Sequence, residues 1–396
     1  MAQIFRNDFS FEEYVTIGWI KKIILIASLT FGLESVVKRE LQKLGFQNIK
    51  PSNGKVEFEA SVDEIPKANL WLRSADRVLL KMGEFTAITF DELFEQTKSL
   101  PWEEWITENG DFKVDGVSVK STLGSIRACQ SIVEKAVVER LKEYYHVEWF
   151  DKTGPKYTIK VSVLKDVATL SIDTSGPGLN RRGYRQLSGK ASLKETMAAA
   201  LVQLSFWNKD RLLIDPMCGS GTILIEAAML ARNIAPGLNR EFVSESWPIL
   251  DPTTWAKERE NARDLIKRNL DLRIIGYDID EEIIKAAQKN AQNAGVEYDI
   301  QFETKDIKDL WVDQQYGMII TNPPYGMKMG ELQELNQMYI SIHKTFKKKL
   351  GWSVYVLTAD KKFRDYFKRA EPDKVRKLFN GKIEVNYYQY FGERPK

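Results

Sequence analysis

The sequence has few of the side chains that bind transition metals or form disulfide bonds. Its 396 residues include two cysteines, Cys129 and Cys218, and two histidines, His146 and His343. This small number argues against a Cys/His zinc site and excludes a framework of several disulfides, although the two cysteines could still form one bridge. We therefore expect no metal centre.

Long hydrophobic runs are also missing. The longest apolar run near the N-terminus covers residues 23–27, far short of the roughly 20 residues that span a bilayer. Asp8, Glu12 and Glu13 precede it, where a signal peptide would carry positive charge. We expect a cytoplasmic protein in a reducing compartment, without a membrane partner.

The chain as a whole lacks a strong excess of either charge. It has 58 Lys+Arg, 55 Asp+Glu and 43% hydrophobic residues, a composition typical of soluble globular proteins. Residues 1–175 carry 23 basic and 26 acidic side chains, whereas residues 176–396 carry 35 and 29. Between positions 344 and 382, 13 basic and 4 acidic residues mix with aromatic ones. This stretch could bind nucleic-acid phosphates, or it could simply be a solvated helix face.

The hydrophobic pattern of the first half predicts an α+β module. Residues 1–20 have no clear period and are predicted to be a poorly ordered extension. Strands are then expected at 22–29, 56–59, 77–85 and 112–120, followed by a hairpin over 157–172. Helices are expected at about 33–44, 91–97 and 125–145. Such a module is more typical of binding or positioning than of catalysis.

The second half has a different pattern, which begins after the break at Ser175-Gly176-Pro177-Gly178. Helices alternate with short apolar strands near 212–214, 274–277, 300–302, 318–321 and 354–357. That alternation predicts a doubly wound parallel α/β sheet. Two further strands flank Asn380-Gly381, a strong hairpin turn, and predict one antiparallel strand at the edge of this sheet.

A glycine turn follows the first of these strands, in the segment Asp215-Pro216-Met217-Cys218-Gly219-Ser220-Gly221-Thr222. Gly219 and Gly221 allow close approach of the backbone to a ligand, and the helix that follows offers free N–H groups. We predict that Asp215, Cys218, Gly219, Gly221 and Thr222 bind a nucleotide-like cofactor. A tight turn without a ligand is the alternative, and a P-loop is excluded because no Gly-Lys-Ser/Thr follows.

Acidic residues follow the next two strands. Asp278 is placed to accept hydrogen bonds from ribose hydroxyls, as carboxylates do in doubly wound folds. Asp280 is better suited to capping the helix that begins at Glu281. Asp306 could accept from an adenine amino group, or it could be an ordinary exposed loop residue.

The most specific motif is Asn322-Pro323-Pro324-Tyr325, directly after a buried strand. The two prolines stiffen the backbone and remove two N–H donors, so the backbone there can only accept. With the Asn322 amide oxygen and the Tyr325 ring, the motif suits a planar base bearing an exocyclic amine. The alternatives are a rigid surface turn and a peptide ligand of WW-type domains, which the position after a buried strand disfavours.

These motifs, in this order, resemble class I S-adenosylmethionine-dependent amino-methyltransferases. Further segments resemble the THUMP-domain guanine-N2 RNA methyltransferases, with large-subunit ribosomal RNA enzymes as the nearest pattern. They are Arg181-Arg182-Gly183-Tyr184-Arg185, Leu193-Lys194-Glu195-Thr196, Ala235-Pro236-Gly237-Leu238 and Tyr387-Tyr388-Gln389-Tyr390. The resemblance implies a ferredoxin-like segment at 21–62, a THUMP domain at 63–175, a linker at 176–190 and a methyltransferase domain at 191–396.

The resemblance also implies roles for the motif residues. Asp215, Gly219 and Gly221 would contact the methionine part of S-adenosylmethionine, Asp278 its ribose and Asp306 its adenine. Residues 322–325 would hold the target base. Phosphate contacts are predicted for six basic residues, namely Arg181, Arg182, Arg185, Lys361, Lys362 and Arg364.

The expected reaction is methylation of a guanosine N2 amino group in RNA, with 23S ribosomal RNA as the first candidate and transfer RNA as the second. An adenine-N6 DNA methyltransferase would need a target-recognition domain, for which the chain leaves little room. A glutamine-modifying methyltransferase would not need the N-terminal module. An RNA-binding protein with an inactive methyltransferase fold is the non-enzyme alternative, and it is disfavoured because all the motifs are intact.

Overall fold

Two seven-stranded sheets organise the computed structural model. The structure describes residues 22–185, 193–324, 332–346, 351–367, 371–381 and 383–393. The predicted extension at residues 1–20 lies outside these ranges, as does Tyr325. Within the described residues, no helix has the length and apolar character needed to cross a lipid bilayer.

The N-terminal sheet has the strand order β2-β3-β1-β4-β7-β6-β5, and only the β5–β6 pair is parallel. Its first six elements run βαββαβ, as in ferredoxin-like folds. The elements are β1 (Lys22–Ser28), α1 (Glu34–Lys43), β2 (Gln47–Ser52), β3 (Lys55–Ser61), α2 (Ile65–Trp71), β4 (Arg77–Thr86), α3 (Phe90–Lys98), β5 (Asp111–Val119), α4 (Ile126–Tyr145), β6 (Lys156–Leu164) and β7 (Val167–Asp173).

Strand β4 joins the two N-terminal segments into one sheet. It pairs with β1 on one side and with β7 on the other. The ferredoxin-like and THUMP segments therefore share hydrogen bonds across a single sheet instead of forming two separate ones.

The C-terminal sheet has the order β10-β9-β8-β11-β12-β14-β13 and confirms the doubly wound class. All pairs from β10 to β12 are parallel, whereas β14 is antiparallel to both β12 and β13. The antiparallel strand thus lies one position inside the edge, which β13 forms. The elements are α5 (Glu195–Ser205), β8 (Leu213–Asp215), α6 (Thr222–Ala231), α7 (Pro252–Asp264), β9 (Ile274–Asp278), α8 (Glu281–Ala294), β10 (Ile300–Thr304), β11 (Met318–Thr321), α9 (Leu332–Phe346), β12 (Ser353–Thr358), α10 (Phe363–Phe367), β13 (Lys374–Asn380) and β14 (Ile383–Tyr390).

Strand burial explains why sequence patterns predicted most of this sheet. All six residues of β12 and all four of β11 are buried, as expected of central parallel strands covered on both faces. The pattern did not predict β2, α2 or α7. Strand β2 is mostly exposed, with Ile49 as its only aliphatic side chain, and only two of the 13 residues of α7 are buried. Neither of these two elements shows a hydrophobic period.

A continuous apolar core joins the two sheets. One cluster of buried apolar residues extends from Ile23 in β1 to Tyr387 in β14. The Gly237 N–H donates to the Leu70 carbonyl at 3.0 Å, and the Trp71 indole N–H donates to Glu258 at 2.8 Å. The N-terminal module is therefore packed directly against the C-terminal sheet and its helices.

Candidate active site

Four neighbouring strands bring the predicted site residues to one edge of the C-terminal sheet. The strands β10, β9, β8 and β11 are adjacent in that order. Their carboxyl ends lead to Asp306, Asp278, Asp215 and Asn322 respectively. The parallel register pairs Thr304 with Asp278, so the ends of β10 and β9 are level. This edge is where open α/β sheets bind ligands.

The glycine turn between β8 and α6 has the left-handed backbone that favours glycine. Gly219 has φ +52° and Gly221 φ +80°. A Cβ on Gly221 would lie 3.0 Å from the Phe302 ring, whereas one on Gly219 would meet nothing within 4 Å. Gly221 therefore allows close packing beneath the turn. Gly219 leaves open space above it, as a cradle for a ligand requires.

Two hydrogen bonds connect this turn to β9. The Cys218 N–H donates to the Tyr277 carbonyl at 2.8 Å, and the Gly219 N–H donates to Asp278 Oδ2 at 3.0 Å. The Cys218 side chain is 7% exposed, and burial raises the pKa of its thiol well above the ordinary value. Cys218 therefore contributes its backbone and a neutral, buried side chain.

Asp215 is a buried carboxylate at the centre of this edge. Its side chain is 2% exposed and accepts from the Met217 N–H at 3.2 Å. Burial raises its pKa to about 7, and the nearby Asp278 carboxylate adds to the shift. A cationic group bound beside it would favour the ionised form.

Asp278 and Asp280 differ in their contacts, and Asp280 caps a helix as predicted. Asp280 Oδ1 accepts from the N–H groups of Glu282 and Ile283, and so caps α8. Asp278 is partly buried, and its two oxygens accept from the Gly219 and Asp280 N–H groups. Each Asp278 oxygen retains a further lone pair. The ribose role remains a prediction.

Asp306 has a local structural role, and its contact with adenine remains a prediction. Its Oδ1 accepts from the Lys308 N–H at 2.9 Å and caps a short 3-10 helix over Ile307–Asp309. Its Oδ2 lies 3.7 Å from Lys308 Nζ, with which it forms an ion pair. Sequence reasoning missed Ile279, whose side chain is 69% exposed next to Asp278. Its apolar side chain between Asp278 and Asp280, directly after a strand, was the available signal for this exposed surface.

Asn322 carries the most informative side chain of the site. Its Oδ1 is buried and has no hydrogen-bond partner within the described ranges. Thr321 and Pro323 on either side are buried, whereas Pro324 is exposed. Leaving a buried acceptor unpaired costs about 1–3 kcal/mol. The role of Asn322 in holding a base remains a prediction.

Comparison with protein-family models identifies the family of the domain that carries this site. Residues 182–389 match the model described as RMKL-like, methyltransferase domain. The chain belongs to the RMKL-like methyltransferase family. In the N-terminal half, residues 24–79 match the RlmL ferredoxin-like domain and residues 87–173 the THUMP domain.

Curated relatives of this methyltransferase fall into two size classes. The "Putative RNA methyltransferase YpsC" of Bacillus subtilis strain 168 is 46% identical, over 95% of this chain and 98% of that protein. The "Ribosomal RNA large subunit methyltransferase K/L" of Psychromonas ingrahamii is 34% identical, over 92% of this chain and 50% of that protein. The chain thus spans about half the length of the K/L relatives.

Solved relatives share both halves of the fold. SMU.472, described as a putative methyltransferase complexed with SAH, is 40% identical with a TM-score of 0.88, over 95% of this chain and all of that one. A Listeria monocytogenes protein, described as a predicted N6-adenine-specific DNA methylase, is 45% identical with a TM-score of 0.90, over 96% and 98%.

Two of the arginines predicted to bind phosphate in this methyltransferase point inward. Arg182 is 3% exposed, and its guanidinium donates to the carbonyls of Arg73 and Leu179 and lies 3.4 Å from Glu226. This contradicts the phosphate-binding prediction for Arg182, because its donors are already used inside the protein.

The second inward-pointing arginine is Arg185, whose side chain is 13% exposed. Its Nη2 donates to Thr222 Oγ1 at 2.6 Å and to the Leu193 carbonyl at 2.8 Å. Thr222 is itself only 5% exposed. The structure therefore contradicts the phosphate-binding prediction for Arg185 and places this side chain next to the glycine turn.

The remaining basic candidates are exposed. Arg181 lies on the surface four residues before Arg185, and Lys361 and Lys362 follow β12, the strand next to β11. Arg364 is exposed as well and forms an ion pair with Glu371. Their phosphate contacts remain predictions.

Proposed function

We propose that this methyltransferase modifies the exocyclic N2 amino group of a guanosine in RNA, with 23S ribosomal RNA as the first candidate substrate. The observation that carries the proposal is the buried Asn322 Oδ1, which has no hydrogen-bond partner among the residues that the structure describes. An exocyclic amine is the kind of donor that this acceptor and the neighbouring proline carbonyls suit.

The methyl donor is S-adenosylmethionine, as the resemblance implied. The fold is that of the RMKL-like methyltransferases, and a solved relative is described as bound to SAH. When bound, this cofactor supplies a methyl group activated by a positively charged sulfur. The open space at Gly219 and the free lone pairs of Asp278 fit such a ligand. We assign its methionine part to Asp215, Gly219 and Gly221.

Positioning accounts for the catalysis that these residues provide. Asn322 would accept from the target amine and hold its lone pair out of conjugation with the ring. Correct alignment can supply roughly 7–11 kcal/mol of a barrier. The target amine is inaccessible within a duplex, so the nucleotide must be flipped out or single-stranded.

RNA as the substrate is supported by the THUMP match and by the relatives named as RNA methyltransferases. The solved relative described as an adenine-specific DNA methylase keeps adenine-N6 as the rival chemistry. Both amines would suit the same acceptor in Asn322. An experiment therefore has to determine which base is methylated and whether the nucleic acid is RNA or DNA.

The test is transfer of labelled methyl from S-adenosylmethionine to RNA of a strain that lacks this gene, followed by nucleoside digestion. We expect label in N2-methylguanosine of ribosomal RNA. Label in N2-methylguanosine of transfer RNA would support guanine-N2 chemistry and would make transfer RNA the substrate. Label in N6-methyladenosine, in DNA or in protein would overturn the proposal.

Asn322→Ala tests the base pocket. We expect transfer to be lost while the affinity for S-adenosylmethionine stays within about twofold, because the lost acceptor faces the base. Asn269→Ala, at an exposed amide far along the chain, is the matched control and should keep full activity. An active Asn322→Ala enzyme would remove the basis of the assignment.

A further inference from the structure

Arg185 connects three elements that meet behind the cofactor turn. Its Nη2 reaches the Leu193 carbonyl and Thr222 Oγ1, at 2.8 Å and 2.6 Å. Its Nε lies 3.3 Å from Glu195 Oε1. Leu193 precedes α5, Glu195 begins α5, and Thr222 begins α6. One guanidinium therefore fixes the starts of two packed helices relative to each other.

The contact to Thr222 acts directly on the glycine turn. Thr222 follows Gly221, whose left-handed backbone is already confined by the Phe302 ring and by Ala287 on the side where a Cβ would stand. Arg185 restrains the first residue beyond that point. Together, these contacts leave the end of the turn little freedom to move.

Glu195 makes the arginine difficult to replace. The Glu195 side chain is 5% exposed. Burial raises the pKa of Glu195, and the Arg185 guanidinium opposes that rise. An arginine can serve a carboxylate and two further acceptors at once because its donors form a rigid planar fork, whereas a lysine ammonium is a point charge.

We propose that Arg185 is a positioning residue for the cofactor turn, acting through Thr222, instead of an RNA contact. This deepens the proposed function and depends on it, because it presumes that the turn binds S-adenosylmethionine. Small displacements of a positioned group can cost large factors in binding and rate. Loss of Arg185 should therefore show first in cofactor affinity.

The test compares Arg185→Ala with Arg181→Ala, a matched exposed arginine four residues away. The readouts are calorimetric affinity for S-adenosylhomocysteine and RNA affinity by gel shift, at a temperature well below the melting point of each variant. For Arg185→Ala we expect cofactor affinity to fall about tenfold or more, as loss of a charge-assisted hydrogen bond predicts. RNA affinity should change by less than about twofold.

Arg185→Lys should restore only part of the cofactor affinity, since it keeps the charge and loses the fork. Arg181→Ala should leave cofactor affinity unchanged. A fall in RNA affinity with normal cofactor affinity in Arg185→Ala would overturn the inference. A wild-type protein that binds no S-adenosylhomocysteine would instead refute the proposed function, so the two failures are distinguishable.

A second comparison separates positioning from stability. The double variant Arg185→Ala/Glu195→Gln removes the unpaired buried charge and should recover thermal stability without recovering cofactor affinity. Full recovery of affinity would mean that Arg185 only neutralises Glu195, and would overturn the inference.

A double-mutant cycle between Arg185→Ala and Thr222→Val tests the route through Thr222. If Arg185 acts through Thr222, the effects of the two changes on affinity should be strongly non-additive. Simple addition of the two effects would contradict that route.

Discussion

Asp215→Asn should make the stability of the ligand-free protein depend less on pH. The pKa of Asp215 is about 7 in the folded protein, against an ordinary value of 3.8. The shift is about 3 units, and each unit corresponds to about 1.4 kcal/mol. Ionised Asp215 should therefore cost the folded state about 4 kcal/mol, a cost that asparagine does not carry.

The direction in which the free energy of unfolding changes with pH follows from the raised pKa of Asp215. Between about pH 4 and pH 7 the folded protein holds a proton on Asp215 that the unfolded chain has lost, so this group lowers the free energy of unfolding as pH rises. Below that window it contributes no cost. Above it the full cost remains. The advantage of Asp215→Asn should therefore grow by up to about 4 kcal/mol from pH 4 to pH 8.

The assay is urea unfolding of the wild-type protein and the variant at several pH values without cofactor. Asp271→Asn, at an exposed position, is the control and should show a small difference that does not change with pH. A pH-independent difference between wild type and Asp215→Asn would refute the buried-carboxylate argument. The variant should also bind S-adenosylmethionine more weakly at pH 8, because a cation favours the ionised carboxylate.

Two further pairs of variants test other contacts. Asp278→Ala should lower the affinity for S-adenosylmethionine measured by calorimetry. Asp280→Ala should lower the free energy of unfolding by about 1 kcal/mol through the lost helix cap and leave that affinity unchanged. If the two variants bound S-adenosylmethionine equally well, the ribose would have a partner other than Asp278. Arg182→Ala should lower the free energy of unfolding by about 3–5 kcal/mol, because the buried Glu226 would lose the guanidinium that lies 3.4 Å from its Oε1, and Arg181→Ala should not. A stable Arg182→Ala protein with reduced RNA affinity would instead restore the phosphate role.

Much of the C-terminal half could be predicted because its signals are local. Buried parallel strands appear as short apolar runs, and β11 and β12 follow that rule. The hairpin between β13 and β14 turns at Asn380-Gly381, where Gly381 has φ +63°. Asp280 caps α8 through bonds to residues two and three positions away. In each case nearby residues determine the conformation.

Sequence alone also determined the order of the site motifs along the chain, and the parallel sheet brings motifs in that order close together. Strands that follow one another through right-handed crossovers bring their carboxyl ends to one edge. The family resemblance, which the comparisons confirm, rested on those same motifs.

Only the tertiary structure decided which way the basic side chains face. Arg181, Arg182 and Arg185 stand within five residues of one another, yet the last two are enclosed by Glu226, Glu195 and Thr222. Those partners lie up to 44 positions away along the chain. A charged side chain can be buried only where partners meet it, and local sequence does not reveal distant partners. The raised pKa of Asp215 has the same origin, because burial depends on the complete fold.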